Sequence, residues 1–297
     1  MSTFLYLGET AALTGAALWA ISSLIFERLG KTFTATGLNF FKSTLAIVFL
    51  AATALIQTHA LPQVALSPLL LLFFSGVIGI GLGDTAYFEA MRHMGTRRAL
   101  LVGILAPPLT AVIAWFSLSE GLPLLGWFGI AITMGGVAWV VSEKNGRDEG
   151  DHRLGLGVLF GSIYAVGQAV GTVMTRMALI ESDINLVWSI VIRLAGGIIM
   201  ILCLTFFRRR PVIEWKQKPT ASILKYGVLA TFMGTYLAMI CQQTAIKFAQ
   251  AGVAQTLLMS SHLFLLPLGR FTGEKISGRA VLGAFVAMGG IAMLFLK

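Results

Sequence analysis

Charged side chains make up only 12% of the 297 residues, about half the share found in an ordinary soluble domain. With 57% hydrophobic residues and a mean hydropathy of +0.84, a water-soluble globule of this size could not hide its apolar surface. Cysteine is nearly absent. Cys203 and Cys241 both lie inside apolar runs, which excludes a disulfide framework and a Cys-rich metal site. Acids are scarce too, 13 against 22 Lys and Arg. The basic residues fall in short gaps rather than on one face, so the formal charge of +9 does not point to nucleic acid. The chain has no Gly-x4-Gly-Lys-Ser/Thr loop, which excludes primary pumping by this chain alone. Gly79-Ile-Gly-Leu-Gly83 and Gly155-Leu-Gly157 lack the strand before and the acid after that a dinucleotide loop needs. No cofactor and no metal are expected.

What is present is length in apolar runs. Ten stretches, at 9–28, 34–57, 66–90, 97–118, 124–142, 154–177, 184–207, 222–246, 251–271 and 279–296, are each long enough to cross a hydrocarbon layer about 30 Å thick. The expected fold is an all-α polytopic membrane protein of ten transmembrane helices. No basic segment precedes the first run, so that run is expected to stay as a span. The most polar stretch, 143–153, divides the chain into 1–142 and 154–297.

The halves read as repeats. Gly129-Ile-Ala-Ile-Thr-Met-Gly-Gly-Val-Ala138 and Gly283-Ala-Phe-Val-Ala-Met-Gly-Gly-Ile-Ala292 share five of ten residues at a shift of 154, which also brings Glu120 onto Glu274. Trp19 aligns with Tyr164 and Lys42 with Arg193. An odd number of spans per half makes the second copy enter the membrane from the opposite face, an inverted repeat whose interface commonly holds a carrier's substrate. Numbering the joints from the amino end, the odd joints and their flanks hold seventeen Lys and Arg, and the even joints with the termini hold Arg176, Lys247 and Lys297. Positive charge stays inside. The odd joints are therefore expected in the cytoplasm and both termini outside, in a multi-pass protein of the cell (inner) membrane.

Five plus five spans, the two Met-Gly-Gly segments, and Glu120 and Glu274 before the last span of each half resemble the drug/metabolite transporter superfamily, EamA type. Ala99 to Trp115 looks like that family's fourth span and Ala254 to Pro267 like its ninth. The resemblance covers essentially the whole chain. It implies a carrier of small molecules, with members moving amino acids, other metabolites, drugs or phosphorylated sugars, and it is nearly silent on cargo.

Ionisable groups inside spans are expensive and are functional candidates. Lys42 and Asp84 are each expected roughly 9–12 Å deep from the odd-joint face and could pair. Arg193, nearer the midplane, has no obvious acidic partner, and a cation there suits a carboxylate or phosphate. Asp84 is a candidate proton carrier or one arm of a static salt bridge. Trp19, Asn39, Tyr87, Tyr164, Gln168, Trp188, Tyr236, Gln242, Gln243, Gln255 and His262 form a softer group that would either line a lumen or make interhelical hydrogen bonds. Pro107 and Pro108 are expected in mid-span, as a kink serving as a gate hinge or a fixed bend. Glu120 and Glu274 read as caps or loop anchors.

The reading that fits these residues is a secondary carrier. It would export or exchange a small polar metabolite, an amino acid or related carboxylate-bearing compound, by alternating access, with a proton as candidate coupling ion. An exchanger of anionic or phosphorylated metabolites is the alternative. An intramembrane lipid or prenyl transferase would need clustered acids that the spans lack. The expected partners are the cargo and the lipid bilayer, and nothing in the sequence fixes an oligomeric state.

Overall fold

A computed structural model describes residues 6–30, 32–142, 154–209, 211–213, 219–261, 263–264 and 278–295. Every element among them is a helix: α1 (Leu7–Leu29), α2 (Ala35–Thr58), α3 (Leu66–Gly76), a π-helical segment (Val77–Asp84), α4 (Thr85–Gly103), α5 (Ala106–Leu118), α6 (Leu124–Ser142), α7 (Leu154–Glu181), α8 (Leu186–Phe207), α9 (Ala221–Thr231), a second π-helical segment (Phe232–Leu237), α10 (Ala238–Phe248), α11 (Ala251–Met259) and α12 (Gly278–Phe295). Seven helical stretches are long and apolar enough to cross a membrane, and Leu124–Trp139 and Val281–Phe295 are shorter apolar helices. The ninth expected span begins as α11, and most of 260–277 lies outside the described residues, as do the linker 143–153, Glu274 and His262.

Helix starts depend on side chains that accept otherwise unsatisfied amides. Thr34 Oγ1 accepts from Gly37 N at 3.2 Å ahead of α2, and Thr220 Oγ1 from Ile223 N at 3.4 Å ahead of α9. Asn185 Oδ1 accepts from Val187 N at 2.8 Å ahead of α8. Hydrocarbon offers no acceptors, so amides at such ends must be served from within the protein. Large apolar side chains such as Ile56, Phe116, Phe206 and Phe207 point outward, where they meet acyl chains. Ala12, Ala16, Ala20, Ala46 and Ala54 are buried between helices, and small residues of this kind let backbones approach.

The packing pattern is unchanged when the two halves are exchanged. α1 lies against α9, the second π segment and α10, and α7 lies against α3, the first π segment and α4. Contacts also join α2 with α8, α5 with α11 and α6 with α12, and α8 packs in addition on α3 and the first π segment and α5 on α7. In the α6–α12 contact the Gly-Gly pairs do unequal work. A Cβ on Gly135 or Gly289 would meet nothing, whereas one on Gly136 would sit 2.5 Å from Ala287 N and one on Gly290 2.5 Å from Thr133 N.

Two expectations need correcting. The joint expected at 91–96 has helical backbone rather than a loop and falls within α4, Thr85–Gly103. Its course along α7 nevertheless reverses: Met94 sits at Gly157, while Val102 has returned to Gly161 and Gly103 to Tyr164. Pro107 and Pro108 are also not in mid-helix. The chain breaks at Ile104-Leu105, and the prolines occupy the first turn of α5, where a missing amide donor costs nothing and the fixed φ suits a helix start. The interruption of span four is real, but it lies just before the prolines.

Candidate functional site

The first π-helical segment has the sequence Val-Ile-Gly-Ile-Gly-Leu-Gly-Asp. Three glycines remove side chains from its wall, and the widened turn needs outside partners. π-helical turns inside α-helices are frequent at functional positions. Asn39, fully buried on α2, donates Nδ2 to Ile80 O at 3.0 Å. Gln168, on α7, donates Nε2 to Gly79 O at 3.2 Å and to Asp84 Oδ1 at 3.2 Å. Lys42 Nζ closes the cluster on the other carboxylate oxygen, Asp84 Oδ2, at 2.7 Å.

The pair is not sealed. The Lys42 and Asp84 side chains remain 15% and 23% exposed, and Lys42 lies 5.8 Å from the centre of the Phe88 ring. Tyr87 and Tyr164 stand beside it with ring centres 4.8 Å apart, and both are half-buried. A cation, an acid, an amide and three aromatic rings thus meet where α2, α4 and α7 converge on the segment.

The second π segment, at the corresponding place in the other half, is held differently. Trp19 Nε1 donates to Gly234 O at 2.7 Å. Tyr236 OH shares a hydrogen bond of 2.9 Å with Thr53 Oγ1, among the rings of Phe49 and Phe232. Asp84 shifted by 154 falls on Ala238, so no acid stands here.

The remaining expected site residues are brought into packing rather than to the Lys42–Asp84 cluster. Arg193 is 3% exposed. It donates Nη1 to Gln243 Oε1 at 2.9 Å, and Gln243 Nε2 continues to Ser189 Oγ at 2.7 Å. Its guanidinium lies beside Gly79, and its backbone carbonyl touches Gly76, so it sits behind the segment that carries Asp84. Gln255 accepts from Thr172 at 3.0 Å, and both are buried. Trp188 Nε1 donates to Thr58 Oγ1 at 3.2 Å. Gln242 is buried.

Two residues were missed by the sequence reading. Glu9, in the first turn of α1, is 1% exposed. The second is Arg176 on α7. Its Nε donates to Glu120 Oε1 at 2.7 Å, and its Nη1 caps the end of α10 at Ile246 O and Lys247 O. Glu120 Oε2 accepts from Ala251 N at 2.8 Å, capping α11. Three helices, α7, α10 and α11, are thus fastened to the joint before α6 on the even-joint face. The signal was available: Arg176 is one of only three cations on the charge-poor joints and termini. A groove of about 650 Å³ lined by Leu66, Ser67, Leu70, Leu71, Phe74 and Met174 is apolar and separate from these groups.

Known proteins give the geometry a family. A Pseudomonas aeruginosa protein described as uncharacterized is 28% identical over 129 residues, 43% of this chain. The match spans 42% of that relative's own length. A protein of known crystal structure, 18% identical, superposes over 97% of both chains with a TM-score of 0.79, which shows a shared fold. Residues 6–142 and, as a second match, 155–296 fit the description "EamA-like transporter family". A helical, multi-pass membrane chain matched over almost its whole length, with its polar residues gathered at π-helical breaks, belongs to the EamA-like transporter family of the drug/metabolite transporter superfamily.

Proposed function

We propose that this protein is a secondary carrier that exports a small polar metabolite bearing a carboxylate, an amino acid or a related compound, by alternating access, with Asp84 as the proton-coupling group. The observation that carries this reading is the Lys42–Asp84 pair, bonded at 2.7 Å yet part-exposed inside spans two and three. A buried ion pair is rarely a net stabiliser, and an ionisable group at membrane depth marks a pathway. A cargo carboxylate takes the place of the Asp84 carboxylate on Lys42 while a proton neutralises Asp84. Tyr87, Tyr164 and Phe88 wall the position, and Gln168 orients the acid.

In this reading 1–142 and 154–297 are inverted repeats, threaded oppositely through the cell (inner) membrane, with both termini outside. The Lys42–Asp84 cluster then lies nearer the cytoplasm. The outer face is closed by the Glu120–Arg176 fastening and by the contacts of Trp188 with Thr58 and of Asn185 with Gln57. Arg193, held by Gln243 behind the π segment, gives less support to a phosphorylated cargo.

The test is transport by the purified protein in proteoliposomes, with cargo chosen by a thermal-shift screen over amino acids, sugar phosphates and nucleosides. Asp84→Asn is expected to abolish transport driven by a pH gradient while counterflow exchange persists. Unchanged dependence on the gradient would end the coupling assignment. Labels placed in 57–66 and 208–220 should emerge on opposite faces, and emergence on one face would overturn the inverted threading.

A further inference from the structure

Gln168 stands at the seam between the two halves, since it belongs to α7 while both of its acceptors belong to the first π segment. Its single Nε2 serves Gly79 O and Asp84 Oδ1 at the same distance, 3.2 Å. These two acceptors are already linked through the backbone, because π-helical pairing joins residue i to residue i+5, here Gly79 to Asp84. A bond to an ionised carboxylate is roughly twice as strong as one to a neutral carbonyl. The charge on Asp84 therefore decides how the amide of Gln168 is divided between the two.

The surface on which that division acts is bare of side chains. Gly167 and Gly171 flank Gln168 on α7. A Cβ on Gly167 would lie 3.0 Å from Ile78 O and 3.4 Å from Gly83 Cα, and one on Gly171 3.1 Å from Ser75 O and 3.2 Å from Gly79 Cα. At Gly167 and Gly171 the backbones of α7 and the segment meet directly, so a change at the amide between them is transmitted to their packing. The other half has no such dependence, because Trp19 holds Gly234 O through one unshared bond of 2.7 Å.

We infer that Gln168 is a positioning residue that ties the charge of Asp84 to the packing of α7 on the first π-helical segment. When the carboxylate is charged, the amide is drawn toward Asp84 at the end of the segment, and the turn at Gly79 is held loosely. When the carboxylate is neutral, the amide settles on Gly79 O and the segment tightens against α7. As a part of transport this rests on the proposed role of the Lys42–Asp84 pair. Amide exchange measured without cargo holds or fails independently of that role.

Hydrogen–deuterium exchange of the full chain in lipid nanodiscs reads amide opening in residues 77–84. Asp84→Asn is expected to slow exchange there at least threefold. Gln168→Met is expected to speed it at least threefold and to erase the response to Asp84→Asn in the double variant. Gln168→Lys, which keeps donors within reach of both acceptors, should restore the response, which a merely space-filling role would not do. An Asp84→Asn effect of the same size with Met at 168, or no effect of Asp84→Asn on 77–84, would overturn the coupling. Should Gln168→Met not fold, Gln168→Asn, one methylene shorter and out of reach of both acceptors, must show the same loss of response.

Discussion

Lys42 and Asp84 are the residues on which stability and transport pull in opposite directions. Removing one member leaves a partly buried charge without its partner, at a cost of about 1–3 kcal/mol for a pair that keeps some exposure. Lys42→Met and Asp84→Asn should each lower the thermal midpoint in detergent, and the double Lys42→Met/Asp84→Leu variant should recover most of that loss. All three should fail to transport. A double variant as unstable as the worse single one would show that the pair is a structural strut. Arg193 behaves otherwise. Arg193→Met leaves Gln243 and Ser189 without their cationic anchor, and should destabilise by about 2 kcal/mol while leaving the KM for the cargo within twofold. A tenfold rise in KM would return Arg193 to the cargo path.

At the scale of elements, the Met-Gly-Gly repeat turns out to be two different residues in one motif. Gly136→Ala and Gly290→Ala would drive a methyl into the facing backbone and should separate α6 from α12, with losses of about 2–4 kcal/mol. Gly135→Ala and Gly289→Ala meet open space and should be neutral or stabilise by up to about 1 kcal/mol, as expected for glycine inside a helix. Thermal unfolding of the four variants checks the contrast, and equal losses at all four would refute the zipper. The repeat itself was visible in the sequence because close packing demands glycine at a fixed place. Which glycine of each pair it demands was not, because both lie on the same apolar helix.

The same limit explains what else was legible. The Lys42–Asp84 pair could be read from depth alone, since two charges entering from one face of the membrane have little choice of partner. The π segments could not, because their signal is a shortage of backbone bonds, and glycines at 79, 81 and 83 also suit plain helix packing. The helical backbone of 91–96 was hidden by the basic residues in and beside that gap, because charge between apolar runs reads as a loop.

Across the whole molecule, the fastening of Glu120 and Arg176 ties α7, α10 and α11 to the joint before α6. Arg176→Met removes three bonds at once and leaves the Glu120 side chain, 12% exposed, facing no cation. It should open the even-joint face and raise thiol labelling of a cysteine at Ala251, fully buried in the fastened form, in a background without Cys203 and Cys241. Labelling as slow as in the parent would show that this face stays closed by packing alone.

Lys42 and Asp84 cancel each other, whereas the buried guanidinium of Arg193 donates to a neutral amide, that of Gln243, and carries its full charge inside the low-dielectric slab. A cell holds an electric field across that slab. A unit charge carried across the full drop gains about 2.3 kcal/mol per 100 mV, so a displacement of a fifth of the thickness is worth about 0.5 kcal/mol. Any rocking that displaces α8 along the membrane normal is therefore biased by voltage even when the cargo is electrically neutral.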